Sequence, residues 1–266
     1  MVTWTQAVVL GVVQGLTEFL PVSSSGHLIL VPHVVGWPDQ GLAFDAAIHL
    51  GTIAALLAYF RRELRALASG ALAPRVAGLV VLASVPAGVA GLALGRAIEA
   101  HFRSPLVVAA STALWGLVML AADRRAPPAA PGARDALERV TAGQAVLVGF
   151  AQVLALVPGT SRSGITITAG LLAGLDRPTA ARFSFLLAIP ITAAAGGLKL
   201  LDLLKAGLPA AEQGPLAAAV LTAFVSGWAA IGFLVTYLKR RSLAPFVVYR
   251  LGLAAVIVAV VLGRNA

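Results

Sequence analysis

The amino-acid sequence predicts an all-α polytopic membrane protein: six transmembrane helices plus two re-entrant helix–loop–helix hairpins. Three observations carry this. The 266 residues are 59% hydrophobic and 12% charged, well below the roughly 25% charged residues of a soluble domain. Apolar runs long enough to cross about 30 Å of hydrocarbon recur along the chain. No long polar stretch interrupts them, so one membrane domain over 1–266 is expected. The mean hydropathy of +0.91 agrees.

The full spans are expected at 42–60, 76–94, 105–122, 181–200, 216–238 and 244–262. The breakers between them fit. Arg61, Arg62 and Arg65 follow the first span, and Arg96 to Pro105 separates the second from the third. A Pro/Arg-rich loop, 123–140, follows the third, Gly207 to Pro215 precedes the fifth, and Lys239-Arg240-Arg241 follows it. Two segments remain, about 4–35 and 143–175. Each is apolar at both ends and broken in the middle by Pro, Gly and Ser. Broken backbone at membrane depth is tolerated only where protein or a water-filled cavity covers it. Both therefore read as re-entrant hairpins.

Charge orients the chain. With the loops after spans one, three and five inside, the inner side collects Arg61, Arg62, Arg65, Arg75, Arg124, Arg125, Arg134, Arg139, Arg177, Arg182 and Lys239 to Arg241. The outer side keeps only Arg96, Arg103, Lys199, Lys205 and Arg264. Cytoplasmic loops carry this excess, so the formal net charge of +9 does not call for nucleic acid. Both termini then lie outside, the first hairpin opens outward and the second inward. The first 22 residues lack a basic leader and a cleavage site, so no removable signal is expected. With no cysteine, disulfide and thiolate chemistry are excluded.

The two hairpins resemble each other. At an offset of 138, Gly11, Gln14, Leu16, Ser23, Ser25 and Gly26 match Gly149, Gln152, Leu154, Ser161, Ser163 and Gly164. Three spans follow each hairpin, and that odd number inverts one half relative to the other. Halves of about 1–122 and 141–266 are thus expected to form an inverted repeat with broken helices near the midplane.

The breaks hold the polar chemistry. In the first, Gln14 and Glu18 share a helix face, Pro21 stops that helix, and Ser23, Ser24, Ser25, Gly26 and His27 follow. The second reads Pro158-Gly159-Thr160-Ser161-Arg162-Ser163-Gly164-Ile165-Thr166. Small residues at a helix start let N–H groups approach an anion, and Arg presents a fork that matches phosphate oxygens. A serine attacks phosphorus if a base takes its proton, and His27 lies three residues from Ser24. Glu18 suits a divalent metal bridging a diphosphate.

Plainer readings compete. Ser23 or Ser163 taken singly suits close helix packing, and a lone His27 is more often a satisfied polar residue than a catalyst. An intramembrane Glu18 or Arg162 is costly and points to function. Asp45 and His49 begin the first span and either border the site or, the plainer reading, anchor the helix at the interface, and Arg182 marks the inner interface. Arg250 snorkels or pairs with a buried carboxylate. A transporter or lipid flippase shares the architecture, but binding alone does not need a Ser/His/Arg/Glu cluster.

The run GVVQGLTEFLPVSSSGH from Gly11 to His27 and the run from Pro158 to Thr166 resemble the two signature motifs of the undecaprenyl-diphosphate phosphatases, the bacitracin-resistance proteins. The similarity continues through FSFLLAIP (183–190) and PFVVYR (245–250) and covers essentially the whole chain. It implies hydrolysis of a membrane lipid, undecaprenyl diphosphate, to undecaprenyl phosphate and inorganic phosphate, which recycles the carrier of peptidoglycan synthesis. It also implies a divalent cation, Mg2+ or Ca2+, and a site open to the outer face of the bacterial cytoplasmic membrane. By position, Gln14 and Glu18 fill the acidic motif, Ser24 the proposed nucleophile, His27 the proton-transfer histidine and Arg162 the phosphate-binding arginine. The resemblance also implies that Ser23, Ser25, Ser161, Ser163 and Thr166 line the pocket. Many members carry Glu where this chain has Gln14, which offers a metal an amide oxygen without charge; Arg182 also stands where Glu is frequent. A homodimer is compatible with the sequence.

Overall fold

The computed structural model describes residues 2–102, 104–129, 133–206 and 210–263. Arg103 and Arg264, expected on the outer side, lie outside these residues, as do 130–132 of the expected loop and 207–209 of the expected break before the fifth span. Every regular element among the described residues is helical.

The first broken segment forms α1 (Trp4–Phe19) and α2 (Ser24–Val35). Thr3 starts α1 with a capping box: its hydroxyl accepts from Gln6 N at 3.3 Å, and Gln6 Oε1 accepts from Thr3 N at 2.8 Å. Such reciprocal bonds satisfy two orphan donors of a helix start. Next come α3 (Leu42–Tyr59), α4 (Arg61–Ala68), α5 (Pro74–Phe102), α6 (Pro105–Arg124) and a short α7 (Ala133–Glu138). The second broken segment forms α8 (Ala142–Val153), a 3-10 turn (Leu154–Leu156) and α9 (Arg162–Leu172). α8 repeats the capping box with Thr141 and Gln144, at 3.2 and 2.9 Å. The chain closes with α10 (Arg177–Ala206), α11 (Ala210–Tyr237) and α12 (Ala244–Gly263).

Among the described residues, four helical stretches are long and apolar enough to cross a membrane: Pro74–Gly95, Pro105–Asp123, Ala211–Tyr237 and Ala244–Gly263. Ser24–Val35, Phe44–Tyr59 and Ala142–Leu156 are shorter apolar helices. Two stretches read as plain connections are partly helical. α4 turns an apolar edge inward at Ala66 while Arg61, Arg62 and Arg65 stay exposed. In the loop after α6, Leu137 and Val140 are fully buried in the main core, which anchors α7.

Packing is tightest where glycine allows it. A Cβ on Gly11 would stand 2.1 Å from Thr222 Oγ1 and 2.3 Å from Ala219 O, so α1 lies directly against α11. In the second half, a Cβ on Gly149 would stand 2.6 Å from Ala83 O, placing α8 equally close to α5. Lipid tails are as apolar as leucine, so close van der Waals contact of this kind drives helix association in a bilayer. Aromatic rings fill the centre: Phe185 meets Phe19 and Phe60 edge-on, with centroids 5.7 and 6.2 Å apart. At the end of the bundle bearing α4, Arg182 pairs with Glu63 and lies over the Phe60 ring at 5.8 Å. Arg177 Nε donates to Asp123 Oδ1 at 2.6 Å and ties α10 to α6.

Candidate active site

The two helix breaks meet. Each passes through a serine with positive φ, Ser23 at 75° and Ser161 at 70°, a region disfavoured for residues bearing a Cβ. The strain is held by bonds across and within the breaks. Ser163 Oγ donates to Leu20 O at 3.1 Å, joining one to the other. Ser161 Oγ accepts from Gly164 N at 3.2 Å and caps α9. The pairs Ser23–Ser25 and Ser161–Ser163 each bring two hydroxyls to 3.3 Å.

Glu18, in the last turn of α1, is the centre of the cluster and only 9% exposed. Its Oε1 accepts from Arg162 Nη2 at 2.8 Å, across from the other hairpin. Its Oε2 accepts from Ser24 Oγ at 2.9 Å and from Gln14 Nε2 at 3.1 Å. His49 Nε2 stands 3.8 Å from the same oxygen. Bonds from charged donors are roughly twice as strong as neutral ones, so the Arg162–Glu18 contact is a strong side-chain fastening between the halves of the site.

Two buried atoms beside this carboxylate have no partner among the described residues: Gln14 Oε1, an acceptor, and Arg162 Nη1, a donor. Buried polar atoms are nearly always satisfied, so an exception needs an explanation. One is a ligand with both anionic and cationic character. An anion satisfies Arg162 Nη1, and a cation or a water satisfies Gln14 Oε1. Among the described residues no three or more His, Cys, Asp or Glu side chains are grouped so as to hold a metal ion. The donor set is one carboxylate and one amide oxygen. That fits a hard cation that takes its remaining oxygens from water and from a bound anion, as Mg2+ commonly does.

The other residues singled out in the sequence spread around this centre. Ser25 is exposed at the start of α2. Ser23, Ser161, Ser163 and Thr166 are buried and bonded within the protein. Thr166 Oγ1 lies 2.8 Å from Arg162 O, at the start of α9, and 2.6 Å from Ser184 Oγ on α10. His27 does not face Ser24. Its Nδ1 donates to Ser23 O at 2.7 Å. A carbonyl only accepts, so in the neutral ring Nε2 is the acceptor, taking the Tyr249 hydroxyl at 2.5 Å. The two rings stack with centroids 5.6 Å apart.

His49 borders the site, one of the two places its position in the sequence allowed. Two further residues gain a new place. Tyr249 is the partner of His27. Arg250 neither snorkels nor meets a carboxylate but bonds backbone at both breaks. The available signals were a polar pair, Asp45 and His49, one turn apart in an apolar helix, and a charge inside the run PFVVYR.

The bacitracin resistance protein BacA family matches residues 7–256 of the chain. Among curated proteins, the undecaprenyl-diphosphatase 2 of Stutzerimonas stutzeri (strain A1501) is 48% identical over 265 residues, covering 95% of this chain and 96% of its own. The undecaprenyl-diphosphatase of Chromohalobacter salexigens is 47% identical over 264 residues, covering 96% and 97%. That of Gemmatimonas aurantiaca is 48% identical over 279 residues and covers both chains completely.

Proposed function

The chain belongs to the bacitracin resistance protein BacA family, and from that premise we infer that it is an integral membrane undecaprenyl-diphosphatase. It hydrolyses undecaprenyl diphosphate to undecaprenyl phosphate and inorganic phosphate, which recycles the lipid carrier for peptidoglycan synthesis and confers bacitracin resistance. The observation that carries the mechanism is the convergence of Ser24 and Arg162 on one carboxylate, with Arg162 Nη1 left unpartnered. The terminal phosphoryl group sits against Arg162 Nη1. Ser24 Oγ attacks phosphorus, Glu18 Oε2 takes the hydroxyl proton, and undecaprenyl phosphate leaves. Water then cleaves the phosphoserine and releases inorganic phosphate. Charge on the transferred group is balanced by preorganised donors, where most catalysis of phosphoryl transfer originates. His27 holds the Ser23 turn, and its route to a proton runs through Tyr249. Ser25 borders the headgroup; Ser23, Ser161, Ser163 and Thr166 shape the two breaks.

Glu18 and Gln14 Oε1 are the groups to hold a divalent cation, Mg2+ or Ca2+. Once bound, such an ion neutralises diphosphate charge. We read the broken segments as re-entrant hairpins, beside six spans, in an inverted repeat. The matching capping boxes at Thr3 and Thr141, the positive-φ serines at 23 and 161, and the equivalent contacts of Gly11 and Gly149 support this. With the basic loops inside, the site opens to the outer face of the cytoplasmic membrane.

The deciding experiment is phosphate release from purified undecaprenyl diphosphate by the detergent-solubilised protein with Mg2+ or Ca2+. Folded protein that releases none refutes the enzyme reading, and activity that survives a chelator removes the cation from it. Ser24→Ala is expected to lower kcat by about 10^3-fold or more, as loss of a nucleophile does, with phosphorylated Ser24 trapped in the parent. Near-normal turnover of that variant instead indicates direct attack by water. Gln14→Glu removes the donor to Glu18 and adds a second carboxylate. The Mg2+ concentration for half-maximal activity is expected to fall by about tenfold, since charged ligands tighten hard-cation sites. A Mg2+ titration checks this, and an unchanged midpoint removes position 14 from the cation site.

A further inference from the structure

Among the described residues Arg250 is the largest fully buried side chain, at 1% exposure. An arginine carries five N–H donors in a planar fork and stays charged. Here the fork is spent on main-chain carbonyls. Nε donates to Thr112 O at 3.0 Å, Nη1 to Pro21 O at 3.3 Å, and Nη2 to both Gly159 O and Thr160 O at 3.1 Å. Pro21 lies in the first helix break, Gly159 and Thr160 in the second, and Thr112 on α6. A helix end leaves carbonyls without intrahelical partners, and one guanidinium serves such carbonyls from both breaks. Space for it is left by two glycines. A Cβ on Gly164 would stand 3.2 Å from Nη1, and one on Gly116 would stand 3.4 Å from Nε.

No ion pair among the described residues offsets the charge of Arg250. The ion pairs among the described residues join Arg162 and His49 to Glu18, Arg177 to Asp123, and Arg182 to Glu63; none includes Arg250. A buried cation without a counter-ion is costly and calls for a reason. Arg162 cannot supply surplus positive charge, because Glu18 cancels it at 2.8 Å.

We propose that Arg250 is a positioning residue for the phosphatase: it locks the two helix breaks in the register that brings Ser24 and Arg162 to Glu18, and its unpaired charge favours the incoming diphosphate. The proposal rests on the function inferred above. It acts through backbone, from behind the site, and so differs from the phosphate contact assigned to Arg162.

Two substitutions separate geometry from charge. Lysine keeps the charge but replaces the fork with a single nitrogen; methionine removes both. Binding is read with a non-hydrolysable prenyl methylenediphosphonate, and turnover by phosphate release. Arg250→Lys is expected to bind the probe within about threefold of the parent while kcat falls about tenfold to a hundredfold, the scale of an ångström-sized misplacement. Arg250→Met is expected to lose at least as much kcat and to bind the probe about tenfold more weakly as well, the scale of one lost charge-assisted interaction. Parental kcat in either variant overturns the proposal. So does equal weakening of binding by lysine and methionine, which marks a role in the fold alone. If the methionine variant is not recovered folded, retained binding with lost turnover in Arg250→Lys supports the proposal, and any other result there overturns it. A parent that releases no phosphate overturns the phosphatase reading, and this proposal with it.

Discussion

Glu18→Gln is expected to abolish most turnover, lowering kcat/KM for undecaprenyl diphosphate by about 10^3-fold or more. The side chain keeps its shape and loses three things at once. It can no longer take the proton that Ser24 Oγ directs at Oε2 across 2.9 Å. It turns the charge-assisted bond from Arg162 at 2.8 Å into a weaker neutral one. It leaves the guanidinium of Arg162, 13% exposed, without a counter-ion. A positioned general base alone contributes about 10^2- to 10^4-fold to the rate, and loss of the charge on Glu18 also unsettles Arg162. The measurement is steady-state phosphate release beside a thermal melt of the same preparation. A folded variant that retains a tenth or more of parental kcat/KM removes Glu18 from the chemistry.

Arg162→Lys is expected to lose about 10^2- to 10^3-fold in kcat/KM, with a larger loss again for Arg162→Ala. The arginine has two jobs on two nitrogens: Nη2 is held by Glu18, and Nη1 is buried and unpartnered. A lysine offers one nitrogen on a flexible stem. It either pairs with Glu18 or meets the phosphate, but does not present both in fixed geometry. The loss is expected chiefly in kcat, because charge develops on the phosphoryl oxygens in the transition state. Glu18→Gln and Arg162→Lys combined should lose far less than the product of the separate losses, since residues in direct contact couple. Independent multiplication of the two effects would mean that the pair does not act as one unit.

The sequence alone carried the architecture a long way. Apolar runs and the Pro, Gly and Ser that interrupt them are local signals, so the helices found at 105–124 and 244–263 lie within two residues of the expected spans 105–122 and 244–262. The breaks near Pro21 and Pro158 were legible for the same reason. Glu18 and Arg162 stood out because a charge inside an apolar run is costly wherever it ends up, and the 138-residue offset was visible as plain repetition. The helical turns of α4 and α7 were hidden in charged and Pro-rich surroundings, where only burial of Ala66, Leu137 and Val140 shows what they do.

Partnership was decided by the tertiary structure. Spacing put His27 three residues from Ser24, but its ring is turned to Tyr249, 222 residues away. Ser24 instead faces Glu18, and Glu18 faces Arg162 across 144 residues. Arg250 reaches Pro21 over 229 residues and answers to carbonyls, which carry no side-chain signature in any sequence. A residue's cost of burial is fixed by its own chemistry and can be read from its neighbours in the chain. Which groups repay that cost depends on what the fold brings within about 3 Å, and helix packing in three dimensions sets that distance.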